Sequence, residues 1–168
     1  MLDDKYRNIL IAIDGSDEAE RAFKEGITIA KNDDSRRLFI AHVSDTRTLR
    51  SFPNFENPIS NQEFMDQSQR AAASTLDAYK KWAMDAGVTN VETILKHGSP
   101  KIEIAKNIPV EYDIDLILLG ATGLNAVERV LIGSVSEYVV RNAPCDVLIV
   151  RSFDEDTEDE ERIIDDNF

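Results

Sequence analysis

The chain has 168 residues, 42% hydrophobic and 30% charged, the size and mix of one globular domain; wholesale disorder and a membrane bundle are excluded. Its formal charge of −13 argues against general nucleic-acid binding, which needs clustered Lys and Arg. The acidic, polar start from Met1 to Lys5, with no apolar run of membrane-spanning length, predicts a cytoplasmic protein without export signal or membrane segment.

Asn8 to Ile13 is a continuous apolar run closed by Asp14-Gly15-Ser16, the pattern of a strand buried on both faces. Asp17 and Glu20 have the spacing of a capping pair, and Ala22, Phe23, Gly26, Ile27 and Ala30 then recur at helical spacing. Arg37 to Val43 repeats the strand pattern, followed by a polar segment through Pro53 and Pro58 that suits no regular element. Ser60 and Glu63 have capping-box spacing and open a long helix that Gly87 should terminate, with Trp82 as a packing residue.

Val91 to His97 reads as the third strand, and Gly98-Ser99-Pro100 supplies a turn, an N-cap and a first-turn proline for a helix that Pro109 should end or kink. Asp115 to Leu119 is a strand stopping at Gly120, Ser134 to Asn142 is helical, and Val147 to Val150 is the last strand. Cys145 cannot form an internal disulfide and suits a small core or interface thiol; His42 and His97 end strands, where structural histidines are common. From Asp154 to Phe168, nine carboxylates face one base, Arg162. Residues 152–168 are therefore expected to be a disordered, solubilising acidic tail, with partner binding through Ile163, Ile164 and Phe168 as the alternative, leaving one domain over 5–151.

Five strands alternating with four helices predict the α/β class: a single doubly wound five-stranded parallel sheet with helices on both faces, because each parallel step needs a crossover. In such sheets ligands collect beyond the carboxyl ends of the strands. There lie Gly120-Ala121-Thr122-Gly123 and, after nine residues, Gly133-Ser134 at a helix start. A helix N-terminus offers free N–H donors and partial positive charge, and glycines admit close approach of an anion; Ser134 and Ser136 add hydroxyls. Spacing alone leaves open an ordinary βα turn with Ser134 as a simple N-cap. Neither a GxxxxGK[ST] loop nor a three-glycine dinucleotide fingerprint occurs.

The pattern Gly120-x2-Gly123-x9-Gly133-Ser134, followed by Val135-Ser136 and Asn142-Ala143-Pro144-Cys145, resembles the ATP-binding signature of the universal stress protein family. Ile11 to Ser16, Ala41-His42-Val43 and Gly98-Ser99-Pro100 agree with it, and the resemblance spans about residues 5–151. It implies an adenine nucleotide alpha hydrolase-like fold that binds ATP, with AMP or ADP as related ligands, and acts as a nucleotide-dependent stress-response module. Adenine would contact positions matching Ala12 and Val43; Asp14 would face ribose, phosphate or Mg²⁺; Gly120, Thr122, Gly123, Gly133, Ser134, Val135 and Ser136 would hold the phosphates. Asp14 also suits a plain cap of the turn into the first helix.

Three positions depart from the family pattern: Ala19 replaces a common serine, Asp146 a common proline, and Ala121-Thr122 lacks a frequent basic residue, for which Arg129 could compensate. The resemblance also implies a homodimer through the last strand, Val147 to Val150, as an exposed edge would allow. A slow ATPase or autophosphorylating phosphotransferase is the alternative function, although no base near a γ-phosphate can be named. A response regulator is excluded, since Lys96-His97-Gly98 stands where its phosphoacceptor aspartate would be.

Overall fold

The computed structural model describes residues 5–31, 33–45, 58–122 and 132–151. Five strands, β1 (Asn8–Ala12), β2 (Arg37–Ser44), β3 (Val91–His97), β4 (Leu116–Gly120) and β5 (Asp146–Val150), form one parallel sheet in the order β3-β2-β1-β4-β5. The helices are α1 (Asp17–Ala30), α2 (Pro58–Asp85), α3 (100–111) and α4 (Ser134–Asn142). The doubly wound α/β architecture expected from the apolar runs is the one observed.

Alternating strand residues feed two cores. Ile9, Ile11, Leu38, Ile40 and Leu118 face α1 and α2, where they meet Phe23 and Leu76. Leu10, Phe39, Ile94, Ile117 and Leu119 face α3 and α4, where they meet Ile104, Ile108 and Val139. Period-two alternation thus buries both faces of the central strands, which is why they read as unbroken apolar runs. Trp82 has the packing role expected of it, its ring centroid 5.0 Å from that of Phe23, which stands edge-on to Tyr79 at 4.7 Å.

Chain order reverses beside β1: α1 carries the chain out to β2 on one side, and α3 returns it to β4 on the other. The carboxyl ends of β1 and β4 therefore form the switch point, where crossovers on opposite faces leave a crevice.

Two local expectations change and one holds. The second helix begins at Pro58, two residues before the expected cap, so Ser60 lies inside it; proline fits a first turn because no acceptor awaits its missing N–H. Gly87 ends that helix as expected, at φ +99° with Val88 N donating to Ala83 O at 3.0 Å. Pro109 does not end its helix. α3 runs as Pro100–Ile102, a π-helical turn Glu103–Asn107 and Ile108–Glu111, then closes with Asp113 at φ 51° and Ile114 N on Pro109 O at 3.0 Å. The residues expected as an acidic tail, 152–168, lie outside those described. Among the described residues, no helix is long and apolar enough to cross a membrane.

Candidate functional site

The turn after β1 is built by its own polar side chains. Asp14 Oδ1 accepts from Ser16 N at 3.0 Å and from Ser16 Oγ at 2.6 Å, and Gly15 takes φ +86°, a conformation that a side chain would strain. Ser16 Oγ in turn accepts from Ala19 N at 3.2 Å and caps α1. The expected Asp17 and Glu20 capping pair is corrected by this arrangement: both lie within the first turn, where their charges meet the positive end of the helix.

β4 ends against this turn. A Cβ on Gly120 would stand 2.6 Å from Glu18 Cβ and 2.9 Å from Ala19 N, so only glycine lets the start of α1 approach the strand. Ala121 N donates to Val150 O at 2.9 Å and Gly133 N to Ala121 O at 2.7 Å, which brings the two ends of the 122–132 segment together. Gly133 is the N-cap of α4 and provides no side-chain cap, so Ser134 is the first helical residue and not the cap. The amides of Ser134, Val135 and Ser136 have no acceptor within the helix. Ser136 Oγ is buried and donates to Gly120 O at 2.8 Å, which locks α4 to β4 and commits the hydroxyl proton expected to meet a ligand.

These pieces enclose a cleft of about 480 Å³. Ala12, Asp14, Val43, Gly120, Thr122, Gly133, Ser134, Val135 and Ser136 line it, so nine sequence-derived positions converge on one space. Gly123 and Arg129 lie outside the described residues. The lining combines the apolar side chains of Ala12, Val43, Leu119, Pro100 and Ile104 with the polar turn after β1 and the first amides of α4. That combination suits an amphipathic ligand with a flat apolar part and an anionic part. Among the described lining residues Asp14 is the only titratable one; it is exposed, and both of its hydrogen bonds fall on one oxygen.

The model of the universal stress protein family matches residues 5–151. A protein of Staphylococcus haemolyticus named as a universal stress protein is 48% identical over 147 residues, 88% of this chain and 86% of its own length. This chain belongs to the universal stress protein family. A solved universal stress protein from Lactobacillus plantarum superposes with TM-score 0.74 at 32% identity, covering 88% of this chain and 99% of that one. A further universal stress protein, solved in complex with cAMP, superposes with TM-score 0.62 at 27% identity over 88% of this chain and 98% of its own.

Within this family member, sequence reasoning missed Ile13, Ser16, Ala19, Pro100, Ile104 and Leu119 as cleft residues. Pro100 carried a signal, since it opens the helix after β3 on the ligand side of the sheet. Ile104 carried none, because a π turn sets its direction. The histidine at the end of β2 is structural: His42 Nδ1 lies 3.1 Å from Ile13 O and ties β2 to the end of β1. Asp146, where the family often has proline, accepts from Lys5 Nζ at 2.5 Å and Tyr6 Oη at 2.7 Å; these bonds hold its carboxyl below the ordinary range.

Proposed function

We propose that this universal stress protein is a regulatory module that binds an adenine nucleotide, ATP first among them, in the cleft between β1 and β4. The observation that carries the reading is that apolar side chains and the first amides of a helix without a side-chain cap line one cleft. A purine ring suits the side of Ala12 and Val43, and phosphates suit the amides of Ser134, Val135 and Ser136. The relative crystallised with cAMP supports the ligand class.

Mg²⁺ accompanies the triphosphate in this proposal, because it favours phosphate oxygens plus one or two carboxylates. Asp14 fits that role, with one oxygen committed to the turn and the other the oxygen it would turn to the ion. No acid or base besides Asp14 lines the described part of the cleft, which favours a binding role over hydrolysis. The module acts as a homodimer through β5, which the sheet order leaves at an edge with Leu148 40% exposed.

The test is to extract the purified protein, identify any nucleotide by mass spectrometry, and measure melting with and without ATP and Mg²⁺. A ligand at about 100 times its Kd stabilises by about 2.7 kcal/mol, worth several degrees in a domain of this size. Protein that carries no nucleotide and melts unchanged with ATP, AMP and cAMP refutes the reading.

A further inference from the structure

Two parts of α3 do different work. Its start holds Pro100 and Ile104 against the cleft, and its end holds Ile108 and Pro109 in the core. The end is tied to the sheet, where Glu111 pairs with Lys96 of β3 at 2.7 Å, and ordinary helical bonds flank the middle: Glu103 N donates to Ser99 O at 2.9 Å and Tyr112 N to Ile108 O at 3.0 Å. Between them lies the π turn, with Ile108 N bonded to Glu103 O and Asn107 Nδ2 donating to Glu103 Oε1 at 2.8 Å.

Pro109 supplies a cause for that turn. It has no N–H to give a helical acceptor, and in α geometry its ring would collide with the carbonyl four residues earlier, that of Ala105. The wider π turn moves that carbonyl away and lets the helix continue. A π turn holds one residue more than an α turn, so losing it would rotate the start of α3 against its anchored end by one residue's angle, roughly 100°. A rotation of that size takes Ile104 off the cleft.

We propose that Pro109 is a positioning residue for the ligand: through the π turn it holds Pro100 and Ile104 as part of the cleft's apolar lining, and so sets affinity for the base. The inference rests on the nucleotide reading of the cleft. The start of α3 and the π turn also pack against α4, whose first amides line the cleft, so adenosine and ATP are compared to separate an effect on the base from one on the phosphates. Loss of the wall lowers affinity for adenosine and for ATP by the same factor.

The experiment compares wild type, Pro109→Ala and Ile104→Ala by calorimetry with adenosine and with ATP plus Mg²⁺, and adds a crystal structure of P109A. Expected is a loss of about tenfold for both ligands in both variants, the order seen when one apolar contact leaves a pocket. The P109A structure should show an α turn at 103–107 with Ile104 turned away. Wild-type adenosine affinity in either variant overturns the proposal, and the Ile104→Ala arm decides if P109A does not fold. A P109A structure that keeps the bond from Ile108 N to Glu103 O overturns it too. Wild-type protein that binds neither ligand refutes the nucleotide reading instead, and Ile104's position in the P109A structure still decides what sets the wall.

Discussion

The two ends of the sheet both carry a hollow, and only one has the makings of a site. At the amino ends of β2 and β3 a groove of about 360 Å³ is lined by Asp34, Arg37, Thr89, Asn90 and Glu92. Its polar groups satisfy one another: Thr89 Oγ1 donates to Asp34 Oδ1 at 2.9 Å, Asn90 Nδ2 to Asp34 O at 2.7 Å, and Arg37 pairs with Glu92 at 2.6 Å. At the carboxyl ends, the polar groups include first-turn amides of α4 that the helix itself cannot satisfy. Parallel topology causes the asymmetry, because every helix that follows a strand begins at the carboxyl end, and helix N-termini accumulate there. Concavity is common to both ends; among the described residues, first-turn amides without a helical acceptor stand beside apolar lining at one.

Gly120→Val should collapse that difference most. Its Cβ would meet Glu18 and Ala19 backbone at under 3 Å, so α1 and β4 must separate. Overpacking of this kind costs about 1–3 kcal/mol, and the cleft moves with it. We expect a fall in melting temperature of several degrees and loss of ATP binding by more than tenfold in calorimetry. A variant that melts and binds like wild type would mean that the close approach has no role.

Ser136→Ala tests the same junction more gently. Removing the hydroxyl leaves the carbonyl of buried Gly120 without its partner at 2.8 Å, a loss of about 1–3 kcal/mol. Thermal unfolding should fall by roughly 2–4 °C per kcal/mol. ATP affinity should fall less than in Gly120→Val, because the amides of α4 remain.

The strands and the glycine-flanked helix start were legible from local chemistry, apolar runs and turn residues, whereas positions such as Ala12 and Val43 followed only from the family resemblance. What was not legible depends on choices between near-equal local solutions. Asp17 and Ser16 are both good caps, and the Asp14 carboxylate decides between them by fixing Ser16. Pro109 ends most helices, and here a π turn absorbs it. Ile104 could not be placed without knowing that turn, which is why the apolar lining of the cleft was half read while the amide-bearing residues were nearly complete.

At the amino end, Arg37→Ala is expected to change little. Both partners of its ion pair are about half exposed, 49% and 50%, and such pairs contribute about 0–1 kcal/mol. ATP affinity should stay at the wild-type value. A loss of nucleotide binding on Arg37→Ala would break the comparison, since it would tie the satisfied groove to the cleft across the length of the sheet.

The smallest effect concerns the thiol just before β5. Cys145 is half-buried against the core that faces α3 and α4, and burial pushes its pKa from 9.0 up to about 11. Since the thiolate is the reactive form, about a thousandth of the population is reactive at pH 8. Alkylation by iodoacetamide should therefore be slow at neutral pH and rise about tenfold per pH unit toward pH 11. Cys145 precedes Asp146, which pairs in register with Leu116 at the start of β4, while the cleft begins at Leu119 beside Ile149. Saturating ATP should thus leave the labelling rate unchanged. Protection by nucleotide would show that the two ends of the sheet communicate, and the contrast between a self-satisfied end and an open one would have to be redrawn as coupling between them.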